Sequence, residues 1–194
     1  VTGAPIKFVG VGEKLDAPAG GELIDAHGMY VFPGGVDAHT HMELPFMGGV
    51  SADDFYTGTA AALAGGTTTI IDFVIPGRGA SLLEARRAWA EKAKKSCCDY
   101  GFHMAVTWFG DPVKQEMEKL VREEGISSFK VFMAYRGSLG VDDAELFGVL
   151  QTGRELGALI SAHCEHGDIV AALQQRLLEQ GLTTPRYHAL SRPA

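Results

Sequence analysis

Two histidines separated by one residue are the first candidates for chemistry in this 194-residue chain. His39 and His41 follow an apolar run and a Pro-Gly-Gly break at residues 33–35. Side chains repeat with period two along an extended strand, so both imidazoles would point the same way and could share one metal ion. Two hydrogen-bonded histidines at a strand end would give the same pattern. The pair alone therefore leaves a metal site and a structural role open.

A lysine inside an apolar run is the second candidate. Lys130 lies within residues 128–135, which are otherwise largely apolar, and an unpaired ammonium buried there would be costly. A carboxylate partner, or extension of the side chain to water, would remove that cost. So would loss of the proton, after which the amine could react with carbon dioxide. The resulting carbamate could bridge two metal ions held by neutral imidazoles.

The amino-acid composition limits the kinds of molecule that the protein is expected to bind. The chain is 46% hydrophobic and carries a net charge of -7, which argues against binding to nucleic acid. Its three cysteines, two of them adjacent, form neither a disulfide framework nor a metal knuckle, so core thiols and a reducing compartment are expected. No apolar run approaches the ~18 residues that a membrane span needs. We therefore expect a cytoplasmic protein with no nucleic-acid or membrane partner.

From Tyr30 onward, β-prone runs alternate with helical ones, which is typical of βα units around a parallel sheet. The predicted strands are residues 30–38, 67–75, 100–108, 128–134 and 158–164. The predicted helices are residues 53–64, 81–95, 112–124, 142–156 and 167–180. Several begin at capping residues, such as Ser81 with Glu84 three places on, and end before glycine. Two shorter β-prone pieces, residues 6–11 and 22–25, predict part of a small separate sheet.

Five consecutive βα units fit either a TIM-type barrel or a doubly wound sheet. The polar residues discriminate between them. His39 and His41 end the first predicted strand, Lys130 lies in the fourth and His163 ends the fifth, and these positions converge only if the sheet curls into a barrel. A complete barrel takes about 250 residues, whereas about 165 remain after Tyr30. We expect only the first five units of a (β/α)8 barrel.

Four separated motifs carry a resemblance to a known family. They are DAHTHMELPF (residues 37–46), GGTTTIIDF (65–73), SFKVFMAY (128–135) and YHALSRP (187–193). In this order, they closely resemble the dihydropyrimidinase and D-hydantoinase family of the amidohydrolase superfamily, from roughly residue 6 to the end. The resemblance implies an α/β fold with residues 30–194 in a partial metal-dependent hydrolase barrel. It also implies that residues 1–29 are part of a small β-sandwich domain.

The resemblance also implies a metal centre. Carried over by position, His39 and His41 bind one zinc ion, Lys130 bridges to a second as N6-carboxylysine, and His163 binds that second ion. The family pattern has a further histidine and an aspartate later in the barrel, beyond the last residue here. We therefore expect the 194 residues to be part of a longer polypeptide and to be inactive alone.

In the family, a zinc-bound hydroxide attacks the ring carbonyl of a cyclic diamide, and the tyrosine matched by Tyr135 stabilises the oxyanion. Tyr135 could instead be a strand-end aromatic with its hydroxyl in water. Leu44, Phe46 and Phe132 are candidates for the apolar wall that meets the substrate's ring substituent, although each could be ordinary packing.

Other histidines receive no ligand role. Cys164 and His166 stand where family members commonly have alanine and asparagine, so His166 is expected at the surface or behind the ligands. His27, His103 and His188 are expected to be structural.

Three functions are compatible with these features. The first is a cyclic amide hydrolase for dihydropyrimidines or 5-substituted hydantoins, expected to be a homotetramer by resemblance. The second is a non-catalytic scaffold like the dihydropyrimidinase-related proteins, which lack the full set of metal histidines and the bridging lysine. The third is an enzyme like dihydroorotase, whose motif continues into an arginine that binds a carboxylate. Met42 and Glu43 supply no such cation, so we rank the functions in this order.

Overall fold

The computed structural model describes residues 19–46 and 48–193. Its strands are β1 (Gly35–Thr40), β2 (Pro45–Phe46), β3 (Gly49–Val50), β4 (Thr67–Val74), β5 (Asp99–Ala105), β6 (Ser128–Phe132) and β7 (Leu159–His163). Its α-helices are α1 (Phe55–Ala64), α2 (Leu82–Ala93), α3 (Asp111–Arg122), α4 (Asp143–Leu156) and α5 (Gly167–Glu179). Two short 3-10 helices, Pro185–Tyr187 and Ala189–Ser191, follow α5. Each of the five predicted βα units is therefore present.

Five strands form a parallel sheet in the order β1-β4-β5-β6-β7, so neighbours in the sheet are also consecutive βα units. The core lies between this sheet and the helices. In β6, Phe129 and Val131 are fully buried among helix side chains such as Met117 and Val149. Because side chains alternate along a strand, Lys130 and Phe132 must face the opposite side of the sheet. The alternation of β6 thus directs the lysine away from the helices.

The sheet is curled. In a flat five-stranded sheet the outer strands would lie about 19 Å apart, because adjacent strands are separated by about 4.8 Å. His39 on β1 and His163 on β7 nevertheless line the same cavity of about 280 Å³. The predicted partial barrel is confirmed, and the doubly wound alternative is wrong.

Local residues explain where the helices begin. The side chains of Asp54 and Asp142 accept hydrogen bonds from the first turns of α1 and α4, and Ser81 Oγ accepts from the backbone N–H of Glu84 at 3.2 Å. The helix predicted to begin at Pro112 begins one residue earlier, with Gly110 as its N-cap. Within the described ranges, no helix is long and apolar enough to cross a membrane.

The first predicted strand was misplaced. Residues 30–38 were expected to be β, whereas β1 covers Gly35–Thr40. Its pairing with β4 starts at Gly35 opposite Thr67, so no strand in the described part of the chain pairs with the residues before Gly35, and Phe32 is 77% exposed. His41 consequently lies one residue beyond the strand.

The small N-terminal sheet is only partly tested. Residues 22–25, predicted as a short β piece, form no strand, and Leu23 and Ile24 are about 80% exposed. The other predicted piece, residues 6–11, lies outside the described residues. The division into a sandwich part at 1–29 and a barrel part at 30–194 stays a prediction.

Candidate active site

One cavity at the carboxyl ends of the strands contains every site residue predicted from the sequence. Those residues are His39, His41, Leu44, Phe46, Lys130, Phe132, Tyr135 and His163. Phe73, Ile75 and Leu139, which sequence reasoning did not single out, complete the lining. The parallel strands all end on this side, so residues far apart in sequence meet in one place.

His39 and His41 lie side by side, as the period-two spacing predicts. Their ring centroids are 5.1 Å apart, and both rings pack against Phe73, at 4.6 Å and 5.2 Å. Although water reaches the His41 side chain, its partial desolvation lowers its pKa, and the neighbouring His39 and Lys130 lower it further. A lowered pKa favours the neutral imidazole, which is the form that binds a metal ion.

A buried carboxylate holds the end of β1. Asp72 Oδ2 accepts hydrogen bonds from Thr40 Oγ1 at 2.9 Å and from the backbone N–H of Met42 at 2.8 Å. These two donors flank His41. Asp72 is fully buried, and burial raises its pKa to about 6 against the lowering effect of those hydrogen bonds. The sequence signal for this role was a lone acid within the apolar strand β4.

Lys130 is half-buried and faces the cavity. Across residues 19–46 and 48–193, no carboxylate oxygen lies within 4.0 Å of its Nζ. The Nζ lies 5.6 Å from the ring centroid of Phe132, and its charge contributes to the lowered pKa of both His41 and His103. The ion-paired alternative for Lys130 is therefore wrong for the described part of the chain.

His163 has an acidic partner that sequence reasoning missed. Its Nε2 lies 2.9 Å from Glu165 Oε2, and Glu165 Oε1 lies 3.0 Å from Arg192 Nε. The hydrogen bond from His163 and then the charge of Arg192 lower the pKa of Glu165, which keeps it ionised. An Nε2–H that donates to Glu165 leaves the lone pair on Nδ1 for a metal ion. The signal was an acid two residues beyond the strand-end histidine.

Tyr135 lies at the rim of the cavity. Its ring centroid is 5.5 Å from that of His163 and 6.0 Å from that of Phe132. Its φ is +61°, a left-handed conformation that is uncommon for a bulky residue and often marks a functional position.

Two further histidines behave as expected. His103 Nε2 lies 3.0 Å from the carbonyl of Ala38 and Nδ1 lies 2.5 Å from Ser128 Oγ, so a neutral ring donates to the first and accepts from the second. Both ring nitrogens are thus used within the protein, consistent with the predicted structural role. His166 is exposed at the start of α5 and does not line the cavity.

The donor set fits part of a two-metal centre. The cavity offers three imidazoles and an amine without a carboxylate partner. In the portion of the chain that the structure describes, no three His, Cys, Asp or Glu side chains could hold an ion by themselves. A carboxylate built on Lys130 would supply the missing oxygens between His163 and the His39–His41 pair. The residues present therefore suit the predicted carbamate better than a simple histidine site.

The chain has relatives of known name. It is 50% identical over 188 residues to a D-hydantoinase from Geobacillus stearothermophilus, covering 96% of this chain and 40% of that protein. It is 44% identical to the human dihydropyrimidinase-related protein 5, covering 94% of this chain and 33% of that protein. The solved structure of a dihydropyrimidinase from Brevibacillus agri matches with a TM-score of 0.88 and 48% identity, covering 91% of this chain and 38% of the other.

These matches agree with the geometry of the barrel. The chain spans less than half the length of each relative, and the matched structure shares the partial barrel described above. The model of the amidohydrolase family matches residues 30–187, which include all eight predicted site residues. The chain accordingly belongs to the amidohydrolase family.

Proposed function

We propose that the protein is a metal-dependent cyclic amide hydrolase that opens the ring of dihydropyrimidines or 5-substituted hydantoins. The observation that carries the proposal is Lys130, an amine without a carboxylate partner among the described residues, placed in one cavity with His39, His41, His163 and Tyr135. Relatives named dihydropyrimidinase and D-hydantoinase support the substrate class.

The chain's own groups would create the bridging ligand. The Lys130 amine, once it has lost a proton to solvent, attacks the carbon of carbon dioxide, and the resulting carbamic acid releases a second proton. The product is an anionic carbamate with two oxygens. It changes a cationic side chain into an anion, which favours divalent metal ions beside the imidazoles.

The remaining residues have distinct tasks. His39 and His41 would hold one ion and His163 the other, with Glu165 fixing the orientation of the His163 ring. Two zinc ions, when bound, would supply hydroxide at neutral pH and polarise the ring carbonyl. The Tyr135 hydroxyl would donate a hydrogen bond to the oxygen that gains negative charge.

The apolar wall would position the substrate's ring. Leu44, Phe46 and Phe132 line the cavity together with the metal-ligand candidates. Apolar side chains here would contact the ring substituent and exclude water from the reacting bond. These roles are predictions, as are zinc as the metal, the homotetramer and the cytoplasmic location.

A non-catalytic scaffold is the second candidate, since one relative is a dihydropyrimidinase-related protein. The scaffolds are expected to lack the full set of metal histidines and the bridging lysine, whereas this chain has His39, His41, Lys130 and His163 in one cavity. The hydrolase therefore ranks first.

Replacement of Lys130 by alanine tests the proposal. In the full-length protein, wild type should hold two metal ions and open dihydrouracil or hydantoin, whereas Lys130→Ala should lose the bridged pair and turnover. A short-chain carboxylic acid should restore part of both by supplying the bridge. The matched control is Lys114→Ala, which removes an exposed lysine paired with Glu155 on α4.

Elemental analysis measures the metal content, and a ring-opening assay measures turnover. If Lys130→Ala keeps two metal ions and near-normal turnover without the added acid, the carbamate is wrong. If the wild-type protein binds no metal and opens neither ring, the scaffold is favoured over the hydrolase.

A further inference from the structure

One arginine connects three of the loops at the catalytic end of the sheet. Arg78 lies between β4 and α2, and its Nη1 donates to the carbonyl oxygens of Thr107 at 2.8 Å and Gly140 at 3.1 Å. Its Nη2 contacts Glu145 Oε1 at 2.8 Å. Thr107 follows β5, and Gly140 follows β6. The guanidinium therefore joins the loops after three successive strands.

These contacts are more than a surface ion pair. Exposed ion pairs typically contribute little to stability. Here, however, Thr107 and Gly140 are buried residues, and loss of the donor would leave their carbonyl oxygens without this partner. The Glu145 side chain is also fixed, because its carboxylate accepts hydrogen bonds from the backbone N–H groups of Phe109 and Asp142. Arg78 is thus held in place at each of its contacts.

The loop that Arg78 contacts begins at Tyr135. We call residues 135–140 the Tyr135 loop. The carbonyl oxygen of Tyr135 accepts hydrogen bonds from the backbone N–H groups of Ser138, Leu139 and Gly140, which hold the chain in a tight bend. A Cβ on Gly140 would lie 2.3 Å from the carbonyl oxygen of Ala134, so the bend needs glycine there.

The loop must be held in place, because its first residue is strained. The φ of +61° at Tyr135 costs energy for a residue with a bulky side chain, and such a conformation persists only if the surroundings enforce it. At its far end, the Val141 backbone N–H donates to the carbonyl of Phe132, and the Gly140 carbonyl accepts from Arg78. Of these contacts, that of Arg78 links the loop to the neighbouring βα units.

We propose that Arg78 is a positioning residue that fixes the Tyr135 loop against the loops after β4 and β5, so that the Tyr135 hydroxyl stays in the reaction cavity. This inference rests on the proposed function. Arg78 does not line the cavity that holds the metal-ligand candidates. Its effect on turnover is therefore exerted through Tyr135.

Lysine cannot replace Arg78 in this role. The planar guanidinium presents two nitrogens in a fixed fork, one for the two carbonyls and one for Glu145. A lysine ammonium is a single point of charge on a flexible stem and cannot reproduce this geometry. Arg78→Lys thus keeps the charge and loses the positioning, which makes it the informative variant.

Steady-state kinetics of the full-length, metal-loaded protein test the proposal. Arg78→Lys should lower kcat by about tenfold to a hundredfold, because small displacements of a catalytic group have effects of that size, with KM changed far less. Metal content should stay at the wild-type level. The matched control is Arg86→Lys on α2, where Arg86 pairs with Glu124 and, within residues 19–46 and 48–193, donates no hydrogen bond to a carbonyl oxygen.

A double variant separates positioning from general destabilisation. In a Tyr135→Phe background, Arg78→Lys should lower kcat by less than about twofold, because the hydroxyl that it positions is gone. A purely structural role for Arg78 would instead lower kcat by the same factor in both backgrounds. Equal factors would overturn the proposal.

Hydrogen exchange provides a readout independent of activity. Arg78→Lys should speed amide exchange in a peptide spanning residues 134–141 by about tenfold, and Arg86→Lys should not. Unchanged exchange there, or unchanged kcat, would also overturn the proposal. If the wild-type protein opens neither ring, the proposed function fails, and exchange alone decides whether Arg78 holds the Tyr135 loop.

Discussion

Replacing Asp72 with asparagine tests whether the end of β1 is held by a buried carboxylate whose negative charge lowers the stability of the folded protein. Asp72 is fully buried in β4, and a single oxygen, Oδ2, accepts both the Thr40 hydroxyl and the Met42 backbone N–H. The amide oxygen of asparagine can occupy the same position and accept both donors. The substitution therefore removes the negative charge and can keep both hydrogen bonds.

The raised pKa of Asp72 sets the size of the effect. Burial raises this pKa from 3.8 to about 6, which corresponds to about 3 kcal/mol between the ionised and protonated forms. Well above pH 6 the carboxyl is ionised in both folded and unfolded protein, so the folded state bears the full free-energy cost of burying the charge. As the pH falls, the folded state takes up a proton first and gains stability. The gain is about 1.4 kcal/mol by pH 5 and about 3 kcal/mol well below pH 3.8.

Urea unfolding of the metal-free protein at pH 5 and pH 8 measures this gain. The free energy of unfolding of wild type relative to Asp72→Asn should be about 1.4 kcal/mol higher at pH 5 than at pH 8. Effects of the substitution that do not depend on pH cancel in this comparison. Asp54→Asn is the control: backbone hydrogen bonding to Thr57 is the largest cause that lowers the pKa of Asp54 to about 2, so this carboxylate stays ionised at both pH values.

If wild type and Asp72→Asn differ in free energy of unfolding by the same amount at pH 5 and pH 8, the prediction is wrong. In that case Asp72 would not be a destabilised anion. A lowered pKa would likewise give no difference between these two pH values, because its effect on stability would appear only as the pH falls below about 5.

Two further predictions concern the reaction itself. Tyr135→Phe should lower kcat by ~10²-fold to 10³-fold with a smaller effect on KM, measured by steady-state ring opening, because one oxyanion donor is lost while the ring is kept; a change confined to KM would reassign Tyr135 to substrate binding. Glu165→Gln should weaken metal binding by about 10-fold to 100-fold in a competition titration with a chelator, because the His163 ring loses its ionised partner. Equal metal affinity would exclude that role for Glu165.

The order and type of the elements could be predicted because their signals are local. Helix α4 illustrates this: Asp142 caps its first turn, and Gly157 ends it with a φ of +66°. Such signals depend on neighbouring residues, so they are visible in the sequence. The beginning of β1 could not be predicted in this way, because it is set by where the partner strand β4 begins.

The candidate site was predicted in part. Period two placed His39 and His41 together, and the isolated charge of Lys130 in an apolar run marked it as unusual. The supporting roles of Glu165 and Asp72 were not predicted, although an acid beside or inside a strand was a visible signal in the sequence. Arg78 gave no such signal, because its partners Thr107 and Gly140 are 29 and 62 residues away.

Local patterns of residues were enough to predict the five βα units, the motifs and the chemical types of the candidate ligands. Those features follow from side-chain chemistry and from periods of two and 3.6 residues, which act over short distances. The three-dimensional fold was needed to show that β1 and β7 face one cavity and that no described carboxylate neutralises Lys130. The fold also places Arg78 Nη1 3.1 Å from the Gly140 carbonyl oxygen in the Tyr135 loop. These depend on the curvature of the sheet, which brings together side chains that no local pattern connects.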